Sequence, residues 1–146
     1  MLYLLDTNHC SYIMNAARKK AVYRKPHETN TFSKYQSINT TTDQVFMCEV
    51  SLSELFMGAE KSPHSASIHT RIADFRKVVP CLDVTNDCWE LHGKTKWEIQ
   101  RVGNNLEDFD LMIACVAKTY GCTLVTNDSD MKNLPSGFVV LENWSV

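Results

Sequence analysis

Short apolar runs alternate with longer segments of helical periodicity along this chain, and this alternation limits its fold more than any other feature. The apolar runs predict strands at residues 2–5, 45–48, 81–84, 123–125 and 138–141. The segments between them predict helices at residues 8–17, 51–62, 67–79, 87–102 and 107–120. Strands that alternate with helices form a parallel sheet with helices on both faces. We therefore predict an α/β chain with three layers, α/β/α, around a central parallel sheet of about five strands.

One long segment, residues 18–43, interrupts this pattern. It is rich in Lys, Thr, Ser, Asn and Gln, and its sequence predicts a long loop with at most a helical turn around residues 32–35. Residues 15–43 hold six basic and two acidic side chains, a net charge of +4, which leaves −6 on the rest of a chain whose total is −2. We predict a single domain over residues 1–146 that contains residues 18–43 as a basic insertion. A solvated loop is the simpler explanation of such a charge run.

Length and composition are those of an ordinary globular protein, with 146 residues of which 44% are hydrophobic and 22% charged. The chain has neither a secretory signal nor an apolar run near the roughly 20 residues that span a bilayer, so we expect a cytoplasmic protein without a membrane contact. Its six cysteines lack the C-x-x-C spacing of zinc and redox sites and are expected to be reduced core thiols. Core burial is also expected for most of Trp89, Trp97 and Trp144.

Acidic side chains recur where predicted strands end or predicted helices begin. Asp6 ends the first strand, and Asp128 follows the fourth, with Asp130 two residues further on. Glu54 and Asp110 lie in the first turns of two predicted helices. Because ligands of open parallel sheets bind beyond the carboxyl ends of the strands, we expect these carboxylates to meet at one sheet edge.

Each acid also has a structural explanation when it is taken alone. Asp6 can cap the first helix, and Glu54 can form a capping box with Ser51. Asp110 suits the positive end of a helix dipole, and Asp128 suits a turn. Four carboxylates at one edge, however, would repel one another and raise their pKa values, and a divalent cation removes that penalty. Oxygen ligands without neighbouring His or Cys favour Mg²⁺ or Mn²⁺ over Zn²⁺.

Four ordered stretches of the chain resemble the PIN-domain nucleases, and specifically the VapC toxin class. They read LLDTN at 4–8, VSLSELFMGAEKS at 50–62, DLMIACVAKTYGCTLVTND at 110–128 and VVLENW at 139–144. The resemblance covers nearly the whole chain and implies the compact α/β/α sandwich of that family. Two features depart from the family pattern: residues 18–43 are longer and more basic than usual, and Met131 replaces the usual Phe after the fourth acid.

The resemblance also implies the residues of the active site. Asp6, Glu54 and Asp110 match the family's first three acids. Asp128 and Asp130 both qualify as the fourth, and we favour Asp128. Asp6 and Asp110 are then expected to bind the metal directly, and the other two acids to bind it directly or through water. Polar residues that would hold the acids or bound water are Thr7, Asn8, Thr126 and Asn127.

The function that the resemblance implies is a Mg²⁺- or Mn²⁺-dependent endoribonuclease, which leaves a 5′-phosphate and a 3′-hydroxyl. Family members are typically held inactive by a small VapB-type antitoxin and commonly form homodimers, so we expect both partners. Since an acidic site repels RNA, we expect the basic segment to bind the RNA backbone. The candidate RNA-binding residues are Arg18, Lys19, Lys20, Arg24 and Lys25.

Other functions are compatible with parts of this pattern. A PIN-fold nuclease could serve housekeeping RNA processing, and a PIN-like module could bind without catalysis, although all four acid positions are filled here. A haloacid-dehalogenase-like phosphatase needs a second acid two residues after Asp6, where this chain has Asn8. A receiver-like signalling domain has a matching acidic pocket, but the expected Lys after a late strand is missing.

Overall fold

A five-stranded parallel sheet forms the centre of the computed structural model, which describes all 146 residues. Its strands are β1 (Leu2–Leu5), β2 (Gln44–Cys48), β3 (Cys81–Leu82), β4 (Thr123–Val125) and β5 (Leu141–Glu142). Their spatial order is β3-β2-β1-β4-β5, and every neighbouring pair is parallel. The predicted α/β/α class is confirmed, with β1 as the central strand.

Six α-helices flank the sheet, and two short 3₁₀ turns lie between elements. The helices are α1 (Thr7–Arg18), α2 (Pro26–Ser37), α3 (Glu49–Lys61), α4 (Ser65–Val78), α5 (Asn86–Arg101) and α6 (Asp108–Tyr120). The 3₁₀ turns are Ala21–Tyr23 and Ser129–Asn133. Gly121 ends α6 with a φ of 71°, a left-handed conformation that glycine adopts without steric cost. None of these helices is both long and apolar enough to cross a membrane.

The two faces of the sheet carry two separate cores, as the alternation of side chains along a strand requires. Leu4 on β1 points towards the core shared with α5 and α6. Its neighbours Tyr3 and Leu5 point to the opposite face, where α1, α3 and α4 pack. All six cysteines are free thiols, five of them buried, as predicted. The expectation of core burial holds for Trp144 but is wrong for Trp89 and Trp97, which are 58% and 65% exposed.

The predicted loop at residues 18–43 is wrong, because twelve of its residues form α2. Pro26 starts this helix, where its missing N–H costs no hydrogen bond. The side chain of Glu28 turns back to accept a hydrogen bond from the backbone N–H of Lys25 at 3.0 Å, and it forms an ion pair with Lys19 at 2.8 Å. Few apolar residues mark the helix, so its periodicity is weak. Phe32 and Tyr35 pack against the core below it, and the ion pair of Glu28 with Lys19 at the end of α1 adds to that packing.

The two edge strands are shorter than predicted. The strand predicted at 81–84 spans only Cys81–Leu82, and the one predicted at 138–141 becomes Leu141–Glu142. β5 pairs with only two of the three residues of β4, Leu124 and Val125. Because all five strands are parallel, their carboxyl ends share one edge, and α1 and α3 begin directly beyond the ends of β1 and β2.

Candidate active site

A polar cavity of about 460 Å³ opens at the carboxyl edge of the sheet. The four predicted acids Asp6, Glu54, Asp110 and Asp128 all line it. Three of the predicted orienting residues, Thr7, Asn8 and Asn127, line it too, together with Ser129, Ile113 and Met131. The structure thus brings together side chains that are more than 120 positions apart in the chain.

Asp6 is both the N-cap of α1 and a wall of the cavity. Its Oδ1 accepts a hydrogen bond from the backbone N–H of His9 at 2.8 Å, and its own backbone N–H donates to the carbonyl of Val125 at 2.9 Å. The side chain is 9% exposed. The capping explanation and the expected place in the site are therefore compatible, because the cap uses one carboxylate oxygen.

Glu54 is held by the residue that follows the first acid. Thr7 Oγ1 donates to Glu54 Oε1 at 2.6 Å and lies 3.1 Å from Ser51 Oγ. The alternative explanation of Glu54 as part of a capping box with Ser51 is wrong, because α3 begins at Glu49 and Glu54 lies in its second turn. Glu54 therefore has its hydrogen-bond partner at the start of α1 and not at the start of its own helix.

Asp110 lies in the first turn of α6, as predicted. Burial in the first place, and then the negative charges of the neighbouring acids, Asp128 and Glu54 foremost, together raise the pKa of its carboxyl to about 6. The contribution of the neighbouring acids is the mutual repulsion expected of converging carboxylates. The cavity is consequently a site where a positive charge would be stabilised.

The structure places Asp128, and not Asp130, in the lining of the cavity. Asp128 caps the 3₁₀ turn that follows β4, where its Oδ1 accepts from the backbone N–H of Asp130 at 2.9 Å. Thr126 is buried, and its Oγ1 accepts from the backbone N–H of Asp128 at 3.1 Å. Asp130 itself is exposed and contributes its backbone to the turn.

A chain of side-chain hydrogen bonds connects α1 to the loop after β4. Asn8 Nδ2 donates to Asn127 Oδ1 at 3.5 Å, and Asn127 Nδ2 donates to the hydroxyl of Tyr12 at 3.0 Å. The side chains of the predicted orienting residues Asn8 and Asn127 therefore form a hydrogen bond with each other and none with the acids. Tyr12, which belongs to none of the sequence motifs, is the residue that fixes the side chain of Asn127.

The donor set of the cavity fits a hard divalent cation. Its polar side chains offer carboxylate, hydroxyl and amide oxygens, and neither His nor Cys lines it. No group of three or more Asp, Glu, His or Cys side chains is arranged so that it could hold a metal ion directly. Such a site suits Mg²⁺, which usually keeps several waters and binds one or two carboxylates, better than a closed zinc cage.

The predicted basic residues fall into two groups. Lys19 pairs with Glu28, and Arg24 donates from Nε to the carbonyl of Ala16 at 2.8 Å and covers the ring of Phe32. The other members of the set, Arg18, Lys20 and Lys25, are exposed. Because α1 has 12 residues, its basic end lies about 18 Å along the helix axis from the end that carries the acids.

Sequence reasoning missed two kinds of residue near the site. Ser129, Ile113 and Met131 line the cavity without belonging to the predicted acids or orienting residues. His9, which has no role in the sequence motifs, is fully buried against Asp6. Its spacing of three residues from a helix-capping acid is a signal that could have found it.

Comparison with known proteins gives one family. A family model described as PIN domain matches residues 3–136. Ribonuclease VapC2 of Rickettsia felis is 26% identical over 145 residues, which cover 99% of this chain and 98% of the relative. The tRNA(fMet)-specific endonuclease VapC of Salmonella typhimurium is 25% identical over 143 residues, or 97% of each chain.

Solved structures agree with these relatives. VapBC2 from Rickettsia felis, bound to a DNA fragment from its promoter, superposes with a TM-score of 0.82 at 25% identity over 99% of each chain. VapBC-1 from nontypeable Haemophilus influenzae, at 21% identity, has a TM-score of 0.80 over 100% of each chain and shows the shared fold. The predicted resemblance to VapC ribonucleases and the predicted nuclease class are confirmed. This chain belongs to the PIN domain family.

Proposed function

We propose that this protein is a divalent-metal-dependent endoribonuclease and the toxin of a VapBC-type pair. The observation that carries the proposal is the convergence of Asp6, Glu54, Asp110 and Asp128 on one polar cavity at the sheet edge. The names of the similar proteins, ribonuclease VapC2 and tRNA(fMet)-specific endonuclease VapC, support RNA as the substrate. The fourth acid of the proposal is Asp128, because Asp130 does not line the cavity.

Asp6 and Asp110 would hold the cation directly. Glu54 and Asp128 would hold it through water, because no three acids are arranged to bind it directly. A bound Mg²⁺ or Mn²⁺ supplies the Lewis acidity that phosphodiester hydrolysis requires. Thr7 orients Glu54 by its 2.6 Å hydrogen bond. Thr126 fixes the backbone that carries Asp128. These contacts hold the carboxylates in place against their mutual repulsion before any cation or RNA arrives.

The decisive experiment compares RNA cleavage by the wild-type protein and Asp6→Asn, with Mg²⁺, with Mn²⁺ and with EDTA. The wild type should cleave only with metal and leave 5′-phosphate ends, and Asp6→Asn should lose at least about a hundredfold in rate. Equal cleavage by the two proteins would contradict the proposed mechanism. Cleavage by neither protein would favour a non-catalytic binding module. Growth arrest on expression, relieved by Asp6→Asn, would separate a toxin from a housekeeping nuclease.

An apolar groove supports the proposed VapB-type partner. The groove of about 440 Å³ lies between α1, α2 and α4 and is lined by seven hydrophobic residues, among them Met14, Ala17 and Phe75. The solved neighbour from Rickettsia felis is a VapBC2 assembly. Ala17 is exposed in the groove, so Ala17→Glu should weaken binding of a VapB-type antitoxin without loss of cleavage. The matched control is Ser33→Glu, which adds the same charge to an exposed position of α2 outside the groove.

We also propose a homodimer and a cytoplasmic location. The dimer rests on the family resemblance, and Trp89 and Trp97 offer an exposed apolar face on α5 for it. Sedimentation of the wild type and of Trp97→Glu tests this contact: a dimer for the wild type and a monomer for the variant are expected. The free thiols of all six cysteines suit the reducing cytoplasm, where RNA substrates and a toxin's targets are found.

A further inference from the structure

The side chain of His9 makes an unusual contact at the start of α1. It lies three residues after Asp6, and its solvent exposure is 0%. Its ring Nδ1 is 2.8 Å from Asp6 Oδ1, and its backbone N–H reaches the same oxygen, also at 2.8 Å. His9 therefore contacts the first acid of the site twice, once through its backbone and once through its side chain.

The contact with Asp6 shows which ring nitrogen of His9 carries a hydrogen. An ionised carboxylate oxygen only accepts hydrogen bonds, so the ring must carry its hydrogen on Nδ1. The other ring nitrogen, Nε2, is buried and has no hydrogen-bond partner. A buried polar atom without a partner costs stability, so an apolar side chain would fill this space better if packing were its only role.

The two contacts leave the carboxylate of Asp6 asymmetric. Both of its side-chain hydrogen bonds fall on Oδ1, and neither involves Oδ2. Because Asp6 lines the acidic cavity, Oδ2 is the oxygen that remains free for a ligand there. The ring of His9 is itself held, since it meets the ring of Tyr12 edge-on with centroids 5.5 Å apart. Tyr12 in turn accepts the hydrogen bond from Asn127.

We propose that His9 is a positioning residue that fixes the carboxylate of Asp6 through Oδ1 and so presents Oδ2 to a divalent cation in the cavity. The inference rests on the proposed function, because it assumes that Asp6 binds the cation. Removal of a hydrogen bond that orients a metal-binding side chain typically changes metal affinity by about 10–100-fold.

Two substitutions separate positioning from packing. His9→Asn keeps an N–H donor in nearly the place of Nδ1, since the two atoms are the same number of bonds from the backbone, but it leaves a void. His9→Leu fills the apolar space but offers no donor. If His9 positions Asp6, His9→Asn should preserve the affinity for Mn²⁺ better than His9→Leu does. If His9 serves packing only, the order of the two variants should be reversed.

The test is calorimetric titration of the purified full chain with Mn²⁺ alone, together with thermal unfolding without metal. His9→Leu should raise the Kd for Mn²⁺ about tenfold or more, and His9→Asn should stay within about threefold of the wild type. Leu should nevertheless be the more stable of the two variants. Wild-type affinity in His9→Leu, or an equal loss in both variants, would overturn the inference.

Two further proteins make these outcomes interpretable. Ile13→Ala removes a buried apolar group from the same helix and should lower stability without changing the Kd for Mn²⁺. Asp6→Asn should abolish high-affinity Mn²⁺ binding. If Asp6→Asn binds Mn²⁺ like the wild type, the proposed metal site itself fails; if only His9→Leu does so, the site stands and the role of His9 fails.

Discussion

The hydroxyl of Thr7 lies 2.6 Å from Oε1 of Glu54, so the residue after the first acid of the site holds the second acid, 47 positions further along the chain. The short distance is typical of a hydroxyl that donates to an ionised carboxylate. Thr7 is also the first residue of α1, so its backbone is fixed by the helix. The contact thus connects the rigid start of one helix to a side chain on another.

Replacing Thr7 with Val removes this hydrogen bond and keeps the shape of the side chain. Cleavage, as kcat/KM, should fall about tenfold, because the carboxylate proposed to bind the metal then has no hydroxyl to orient it. Thr7→Ser keeps the hydroxyl and serves as the control, which should retain activity within about threefold of the wild type. Steady-state cleavage of a labelled RNA measures the difference. Equal activity of the Val and Ser variants would show that the contact is structural only.

Asp128→Asn and Asp130→Asn distinguish the two candidates for the fourth acid. The amide oxygen of Asp128→Asn can still accept the backbone N–H of residue 130, so neither change should alter the melting temperature by more than about 2 °C. Asp128→Asn should reduce cleavage at least about tenfold, whereas Asp130→Asn should leave it within about twofold. A rate reduction in Asp130→Asn alone would reverse the assignment.

Asp110→Asn should abolish cleavage and yet stabilise the metal-free protein. The pKa of Asp110 is raised to about 6, first by burial and then by neighbouring carboxylates, so its ionisation destabilises the folded state. The stabilisation should therefore be absent near about pH 4, develop as pH rises through about 6, and reach about 1–2 kcal/mol near about pH 7.5. Urea unfolding of the wild type and of Asp110→Asn in EDTA, near about pH 4 and near about pH 7.5, measures this difference in stability.

Addition of Mg²⁺ supplies the control for this pH dependence. The cation compensates the carboxylates of the wild type, so the advantage of Asp110→Asn at the higher pH should shrink or reverse when Mg²⁺ is present. An unchanged advantage would mean that the metal does not bind at these acids.

Charge reversal at Lys20 and Lys25 tests the proposed RNA contact, since these basic residues are exposed and the ion pair of this segment is made by Lys19 instead. The double variant Lys20→Glu/Lys25→Glu should weaken RNA binding. The slope of log K against log salt should become shallower by about 0.7 for each phosphate that the protein no longer neutralises. The control is Lys61→Glu/Lys94→Glu, which makes the same charge change on α3 and α5. If the two double variants bind RNA equally well, residues 18–43 form only a solvated surface and not an RNA contact.

Glu28 and Lys19 form the ion pair that joins α2 to α1, with the Glu28 side chain only 2% exposed. Burial raises the pKa of Glu28, but the hydrogen bonds from Lys19 and from the Lys25 backbone outweigh it, so the pKa falls below its usual value of 4.5. The pair therefore contributes its full stability above pH 4.5 and loses it as pH falls through the lowered pKa. Glu28→Gln should cost about 2 kcal/mol near about pH 7 and much less near about pH 3.

Urea unfolding at the two pH values checks this prediction. Glu60→Gln is the matched control, because Glu60 forms an exposed pair with His69 and its side chain is 72% exposed. Its substitution should change stability little at either pH. A cost for Glu28→Gln that is independent of pH would show that the packing of Glu28, and not its charge, holds α2.

The predicted strands and helices that agree with the structure are those with strong local signals. β1 and β4 match their predicted ranges because both are central, continuous apolar runs. α2 does not follow from the sequence because its apolar side is short, with only Phe32 and Tyr35 packed against the core. Its other stabilising contacts, such as the pair of Glu28 with Lys19, are made by polar residues. β3 is shorter than its apolar run because β2, the strand that it pairs with, ends at Cys48. β5 pairs with only Leu124 and Val125 of β4.

The sequence by itself determined the alternation of strands and helices, the parallel sheet and the four acids at its carboxyl edge, because these depend on local periodicity and on the common direction of the strands. Only the tertiary structure decided between Asp128 and Asp130 as the acid that lines the cavity, and only it placed His9 against Asp6. Those two results depend on where side chains point within a single turn of the chain. Such directions are set by packing and capping in three dimensions. The order of residues contains at most a hint of them, in the spacing of His9 three residues after the capping Asp6.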